Sequence, residues 1–226
     1  MSQSFPPRRW VLLAVVCLGC LATPPLLTIV FSRSTRGTAP DSGANDQNLD
    51  PALLSAITTA NQNKTFACTP IVGGAFANIP FQDISPDGVL IGLRLGYGKF
   101  VNNKTISFVQ PIYMTASGET LGQAFGNKPP EPLEVKAPPG YALGTAVIGG
   151  GGDLDSLTLT FMRMNGDHLD MNDARVTEKL GGGGMNVTSL GGDGTPVIGI
   201  SGRVSKDGKS LGLGLVFLSA TPAVQP

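Results

Sequence analysis

The only histidine of the chain, His168, lies in the acidic run Asn165-Gly166-Asp167-His168-Leu169-Asp170-Met171-Asn172-Asp173. Its carboxylates supply the oxygen ligands that calcium takes. The spacing argues against a calcium loop, because no glycine stands at the sixth position and no glutamate closes the run. The segment therefore reads as a solvated turn. A Ser-His-Asp arrangement would have to use His168, and nothing places a nucleophile beside it. No Gly-x-Ser-x-Gly elbow, zinc spacing or phosphate loop occurs elsewhere. These residues predict a protein without catalytic activity and without a metal. A second acidic pair, Asp153 and Asp155, follows two glycines in Gly151-Gly152-Asp153-Leu154-Asp155. Read alone, Asp155 caps a turn before the strand 156–161.

The elements that position these residues are visible as a threefold repeat. Val72-Gly73-Gly74-Ala75-Phe76 returns as Leu121-Gly122-Gln123-Ala124-Phe125, and in degraded form as Leu180-Gly181-Gly182-Gly183-Gly184. Thr105-Ile106-Ser107-Phe108, Ser156-Leu157-Thr158-Leu159 and Ser210-Leu211-Gly212-Leu213 form a second recurring element. Apolar residues alternate with small or polar ones along 89–95, 157–161 and 211–217, the period of a strand with one face on a core. No stretch of 72–218 combines helical periodicity with caps. The 31 glycines suit short strands and tight turns better than helices, where each interior glycine costs about 1 kcal/mol. Three equivalent sheets that cannot bury their apolar faces alone would do so against one another.

Charge is balanced, with 16 Lys and Arg against 16 Asp and Glu, which excludes a broad basic nucleic-acid surface. Residues 1–9 end in Arg8-Arg9 and precede an uncharged run of 22 residues, Trp10 to Phe31. About 20 apolar residues cross a bilayer as a helix, so this segment reads as a membrane anchor with residues 1–9 cytoplasmic. A cleaved signal peptide and a lipoprotein acylated at Cys20 are the alternatives. All three place residues 37–226 outside the cytoplasm, either anchored to the membrane or secreted or at the cell surface. Residues 32–66 read as a flexible linker containing a short helix, with Asp50 as N-cap and Pro51 as its first residue. Residues 67–219 form the domain and 220–226 a tail. Cys68 is the only cysteine outside the apolar run and has no intrachain partner. Asn63, Asn103 and Asn186 fit the N-glycosylation pattern in a host that glycosylates.

The ordered pieces Gly73-Gly74-Ala75-Phe76, Phe81-Gln82-Asp83, 88–95, Leu154-Asp155-Ser156-Leu157, Ile198-Gly199-Ile200-Ser201-Gly202-Arg203 and Leu211-Gly212 resemble the jacalin-type lectin domain. The resemblance spans nearly all of 67–219. It implies an all-β β-prism of three Greek-key four-stranded sheets with pseudo-threefold symmetry, here preceded by one N-terminal apolar helix. It also implies carbohydrate binding without a cofactor, with a glycan or polysaccharide as partner; a homo-oligomer is compatible with the sequence.

The family's sugar site joins a glycine-rich loop near the domain start, here Gly73 and Gly74, to a Gly-x-x-x-Asp loop near its end. Lys209, in Gly208-Lys209-Ser210-Leu211-Gly212, stands where the family has aspartate. Lysine only donates hydrogen bonds, so it cannot replace a carboxylate acceptor. Asp207 is the nearest acid. The first repeat offers Lys104 at this place, and only the second repeat keeps an acid. The expectation is therefore a displaced sugar site built from Gly151, Asp153 and Asp155 with the loop Gly181, Gly182, Gly183 and Gly184. The alternative is a β-prism that has lost sugar binding and serves structure or protein interaction.

Overall fold

A computed structural model describes residues 49–184 and 186–218. The segment Trp10 to Phe31 lies outside the described residues, and so does the predicted apolar helix. Among the described residues no helix is long and apolar enough to cross a membrane.

The described residues form one helix and fifteen strands. The helix α1 (Pro51–Asn63) comes first, followed by β1 (Phe66–Cys68), β2 (Val72–Gly73) and β3 (Ile79–Ile84). A long hairpin of β4 (Gly88–Phe100) and β5 (Asn103–Thr115) leads to β6 (Gly118–Leu121), β7 (Phe125–Gly126) and β8 (Leu133–Lys136). A second hairpin of β9 (Tyr141–Gly150) and β10 (Leu154–Asn165) leads to β11 (His168–Val176), β12 (Leu180–Gly181) and β13 (Val187–Gly191). The last hairpin is β14 (Val197–Val204) and β15 (Leu211–Leu218).

All the pairings are antiparallel and follow one plan. Each hairpin is the centre of a four-position sheet. Its second strand pairs with an edge strand broken in two, and its first strand pairs with the strand that follows that edge in the motif. The orders are β8-β4-β5-(β6, β7), β13-β9-β10-(β11, β12) and β3-β14-β15-(β1, β2). This is the 4-1-2-3 order of a Greek key, three times over. The third sheet takes its outer strands from the start of the chain, so the two ends of the domain are stitched together. The first and second sheets share a single ladder pair, Leu154 with Ile106. The β-prism with pseudo-threefold symmetry is thus the architecture of the domain.

The inner faces meet in one core. Leu90, Leu93, Ile106, Phe108, Leu143, Ile148, Leu157, Ile200, Leu213 and Leu215 are among its fully buried side chains. Burying each such residue stabilises the fold by about 1.5–3 kcal/mol. Phe81 of β3 stacks on Phe125 of β7 at 3.9 Å and closes the seam between the first and third sheets. Tyr113 of β5 ties the same seam, donating from its hydroxyl to the Asp83 carbonyl at 3.0 Å.

Two details differ from the sequence reading. The register places Gly126, and not Gly122, at the first-repeat equivalent of Gly73 and Gly181. Gly73 faces Gly212, Gly126 faces Phe108 and Gly181 faces Ser156, each on the second strand of its hairpin. All three have left-handed φ, of 79°, 86° and 91°. The sequence match at Leu121-Gly122 rests on residue identity, whereas the repeated property is a backbone conformation that glycine alone adopts freely.

The second difference is α1. Asp50 caps it as expected, accepting from the Ala52 amide at 2.7 Å, with Pro51 in the first turn. The helix, however, is no part of a free linker. Leu49, Leu53, Ile57 and Ala60 are buried in the common core. These apolar positions, four and three apart, form one helical stripe. Asn61 Nδ2 donates to the carbonyls of Ser85 and Pro86, which anchors the helix where β4 begins and β15 ends.

Candidate functional site

The three hairpin tips, 101–102, 151–153 and 205–210, lie at the end of the prism away from α1. Each tip packs on the glycine loop of a neighbouring sheet. A Cβ on Gly73 would stand 2.7 Å from the Asp153 carbonyl oxygen, and one on Gly208 would stand 2.5 Å from Asn127 Oδ1. A Cβ on Gly182 would collide with the carbonyl of Lys104. Bare backbone at these positions lets the loops close into a ring.

The second sheet brings the expected group together. Leu180 and Gly181 pair with Leu157 and Ser156, so the loop 181–184 runs beside Asp155. The Gly182 amide donates to the Asp155 carbonyl at 2.8 Å. Gly184 lies against the backbone of Gly149 and Gly150, and the Gly150 amide donates to the Asn186 carbonyl at 3.0 Å. Gly183 is exposed, with nothing within 4 Å of where a Cβ would stand. Gly151 is exposed as well, near the Asn186 side chain. The Asp155 carboxyl is pushed up by burial first and by Asp153 second, while Lys179 acts in the opposite direction. A half-buried carboxylate beside open glycine backbone can accept hydrogen bonds from hydroxyls and leaves room for a ring to approach.

Asp153 stands differently. It is only 5% exposed, and its Oδ1 has no hydrogen-bond partner among the described residues. A buried carboxylate oxygen without a donor is costly, so this atom is primed to take one. The register explains its place. Asp153, Lys209 and Thr105 each stand three residues before the position that faces the left-handed glycine. Asp153, more than Asp155, is thus the structural counterpart of Lys209. The tip also touches the third sheet, because the Gly152 carbonyl accepts from the Ala75 amide at 2.9 Å and from Ser210 Oγ at 3.2 Å. Gly73 therefore lies against the tip that carries Asp153, while Gly74 lies against Leu211 and Gly212 of β15.

At the loop 205–210 the acid is engaged locally. Asp207 Oδ1 accepts from Ser205 Oγ at 2.6 Å and from the Lys209 amide at 3.2 Å. Lys209 Nζ lies 3.5 Å from Asp207 Oδ2, with both side chains exposed. The Ser205 hydroxyl first, and then the Lys209 amide, hold the Asp207 carboxyl below its ordinary range. Asp207 thus builds its own turn.

The acidic run around His168 splits up. His168 Nδ1 is 3.2 Å from Asp167 Oδ1 on the surface, and Asp170 Oδ1 accepts from the Asn172 amide at 2.9 Å. Asp173 accepts from the Tyr141 hydroxyl at 2.7 Å and from Arg163 Nε at 2.9 Å. Among the described residues no three His, Cys, Asp or Glu side chains gather as metal ligands.

The sequence reading passed over the aromatic residues at this end. Phe76 and Phe100 are exposed and stack at 6.2 Å, and Lys104 Nζ lies 3.4 Å over the Tyr97 ring. Phe76 is visible in the repeat, but its exposure follows from the way the tips meet.

No family model matches the sequence. No curated protein matches it either. Solved structures do match the fold. A wild-type Malaysian banana lectin aligns at 16% identity with a TM-score of 0.51, over 68% of this chain and 99% of that one. A mannose-binding lectin from champedak aligns at 16% identity and a TM-score of 0.51, over 68% and 96%. Artocarpin, solved with methyl-α-mannose, aligns at 16% identity and 0.51, over 68% and 98%. Each lectin is covered almost whole. The domain described here has the β-prism fold of the jacalin-related lectins.

Proposed function

We propose that this domain is a non-catalytic carbohydrate-binding module. Its ligand seat is the end of the second sheet, where Gly151, Asp153 and Asp155 adjoin the loop 181–184. One observation carries the reading: the partly exposed Asp155 pairs through its main chain with the glycine loop 181–184, between the exposed Gly151 and Gly183, in a β-prism. Similar folds solved with methyl-α-mannose and with mannotriose support a neutral hexose as the first probe. The domain is displayed outside the cytoplasm and tethered through Trp10 to Phe31, a reading supported by the apolar run and the flanking Arg8-Arg9.

A glycan array and titration calorimetry with methyl α-mannoside test the reading on the full chain. Asp155→Ala should weaken binding at least tenfold, the order expected for losing hydrogen bonds to a charged acceptor. Unchanged binding in that variant would move the seat elsewhere. The second reading, an interaction β-prism without sugar binding, is favoured by the Lys209–Asp207 pair at the third sheet. A blank array together with a stable partner in pull-down would establish it.

A further inference from the structure

We propose that Phe76 and Phe100 extend the seat into a strip that binds oligosaccharides across the second hairpin tip; this rests on the carbohydrate reading above. The first hairpin is longer than its counterparts. It runs to Asn103, five residues before Phe108, whereas β10 begins two residues before Ser156 and β15 one residue before Gly212. Three extra residues per strand project it by about 10 Å. This finger carries exposed side chains that a solvated turn has no use for: Phe100 is 47% and Val101 76% exposed. Val101 also holds a left-handed φ of 55°, a conformation that β-branched residues avoid. Asparagine or glycine would suit that turn better, so the apolar side chain is kept against local preference.

The finger meets Phe76, which is 65% exposed. The two rings stack at 6.2 Å with 27° between their planes and form one apolar surface. Phe76 in turn lies over Gly152, where a Cβ would come within 2.9 Å of its ring. Gly152 adjoins Gly151, which faces Asn186, and Gly184 sits on Gly149 and Gly150. The glycine segments 149–152 and 182–184 thus pack side by side, with Gly151 and Gly183 exposed and Gly152 beneath the Phe76 ring. Polar acceptors stand at one end and flat apolar rings at the other.

A pyranose has the same two chemistries, with a hydroxyl edge that needs hydrogen bonds and a C–H face that packs on aromatic rings. Two or more linked sugars satisfy both ends of the strip at once. The class of ligand is thus a linear oligosaccharide or polysaccharide, rather than a free monosaccharide.

The test compares affinities along a chain-length series on the full-length protein, using a glycan array of neutral hexose oligomers from one to six units. The wild type should bind the longer oligomers about tenfold more tightly than the single sugar, and Phe76→Ser and Phe100→Ser should bring that ratio towards one. Phe100→Leu keeps an apolar side chain without a ring and should lose most of the ratio. Val176→Ser, exposed on β11, should keep it. Circular dichroism checks that each variant is folded. A length ratio that survives both serine variants, or is absent from the wild type, overturns the strip while leaving the Asp155 seat standing. A wild type that binds no glycan overturns both.

Discussion

Replacing the left-handed glycines one at a time tests the threefold register directly. Gly73, Gly126 and Gly181 hold φ of 79°, 86° and 91° at equivalent places in the three sheets. An L-residue there costs about 1–2 kcal/mol in backbone conformation. A methyl group adds a collision with main chain that cannot swing away. At Gly73 it would stand 2.7 Å from the Asp153 carbonyl oxygen, and at Gly126 and Gly181 it would collide with the carbonyls of Ser107 and Asp155. Overpacking of this kind costs about 1–3 kcal/mol, so each alanine variant should lose about 2–5 kcal/mol. For a domain of this size that is a fall in melting temperature of about 4–20 °C. Two controls separate the effects. Gly118 has φ of 108° with nothing within 4 Å, so Gly118→Ala should show the conformational cost alone. Gly183 has neither constraint, and Gly183→Ala should be within about 0.5 kcal/mol of the wild type. Urea unfolding followed by far-ultraviolet circular dichroism measures all five. If Gly73→Ala, Gly126→Ala and Gly181→Ala lose no more than Gly183→Ala, the equivalence of the three positions is wrong.

Other outcomes follow from the seams. Phe125 is 8% exposed and stacked on Phe81, so Phe125→Ala should cost about 3–5 kcal/mol in the same unfolding assay. Burial first, then the Asp83 carboxylate, holds the Tyr113 phenol far above its ordinary value of 10.0. The fold therefore favours the protonated phenol, and that stabilisation is complete below about pH 10 and declines as the pH rises beyond it. Tyr113→Phe should flatten the alkaline arm of a plot of urea midpoint against pH. Hydrogen bonds from Tyr141 and Arg163 hold the Asp173 carboxyl below its ordinary range. Its contribution is present above about pH 4 and fades as the pH falls through the lowered value, so Asp173→Asn should lose part of the acid-side slope.

The architecture was legible because a Greek key repeated three times leaves its alternation and its glycines in the sequence. The same repeat misplaced Gly122, since two glycines four residues apart look alike until pairing shows which one turns left-handed. The nearness of the loop 181–184 to Asp155 could be read from the order of strands alone. The standing of Asp153 could not, because its buried place depends on a tip that packs on Gly73 and Ser210 of a different sheet. Phe76 and Phe100 escaped for a similar reason. Alternation along one strand reports which side chains face the core, not which rings from two sheets meet where the core ends.

The helix α1 seals the end of the prism opposite the hairpin tips, with Leu53 and Ile57 fully enclosed. The chain thus enters the domain through its floor. Leu49 and the helix join the domain at the end away from the glycine loops and the aromatic finger. The same helix is also a stopper. A version of the chain begun at residue 66 would keep all fifteen strands yet open the lower core to water, so the integrity of the domain depends on these thirteen helical residues.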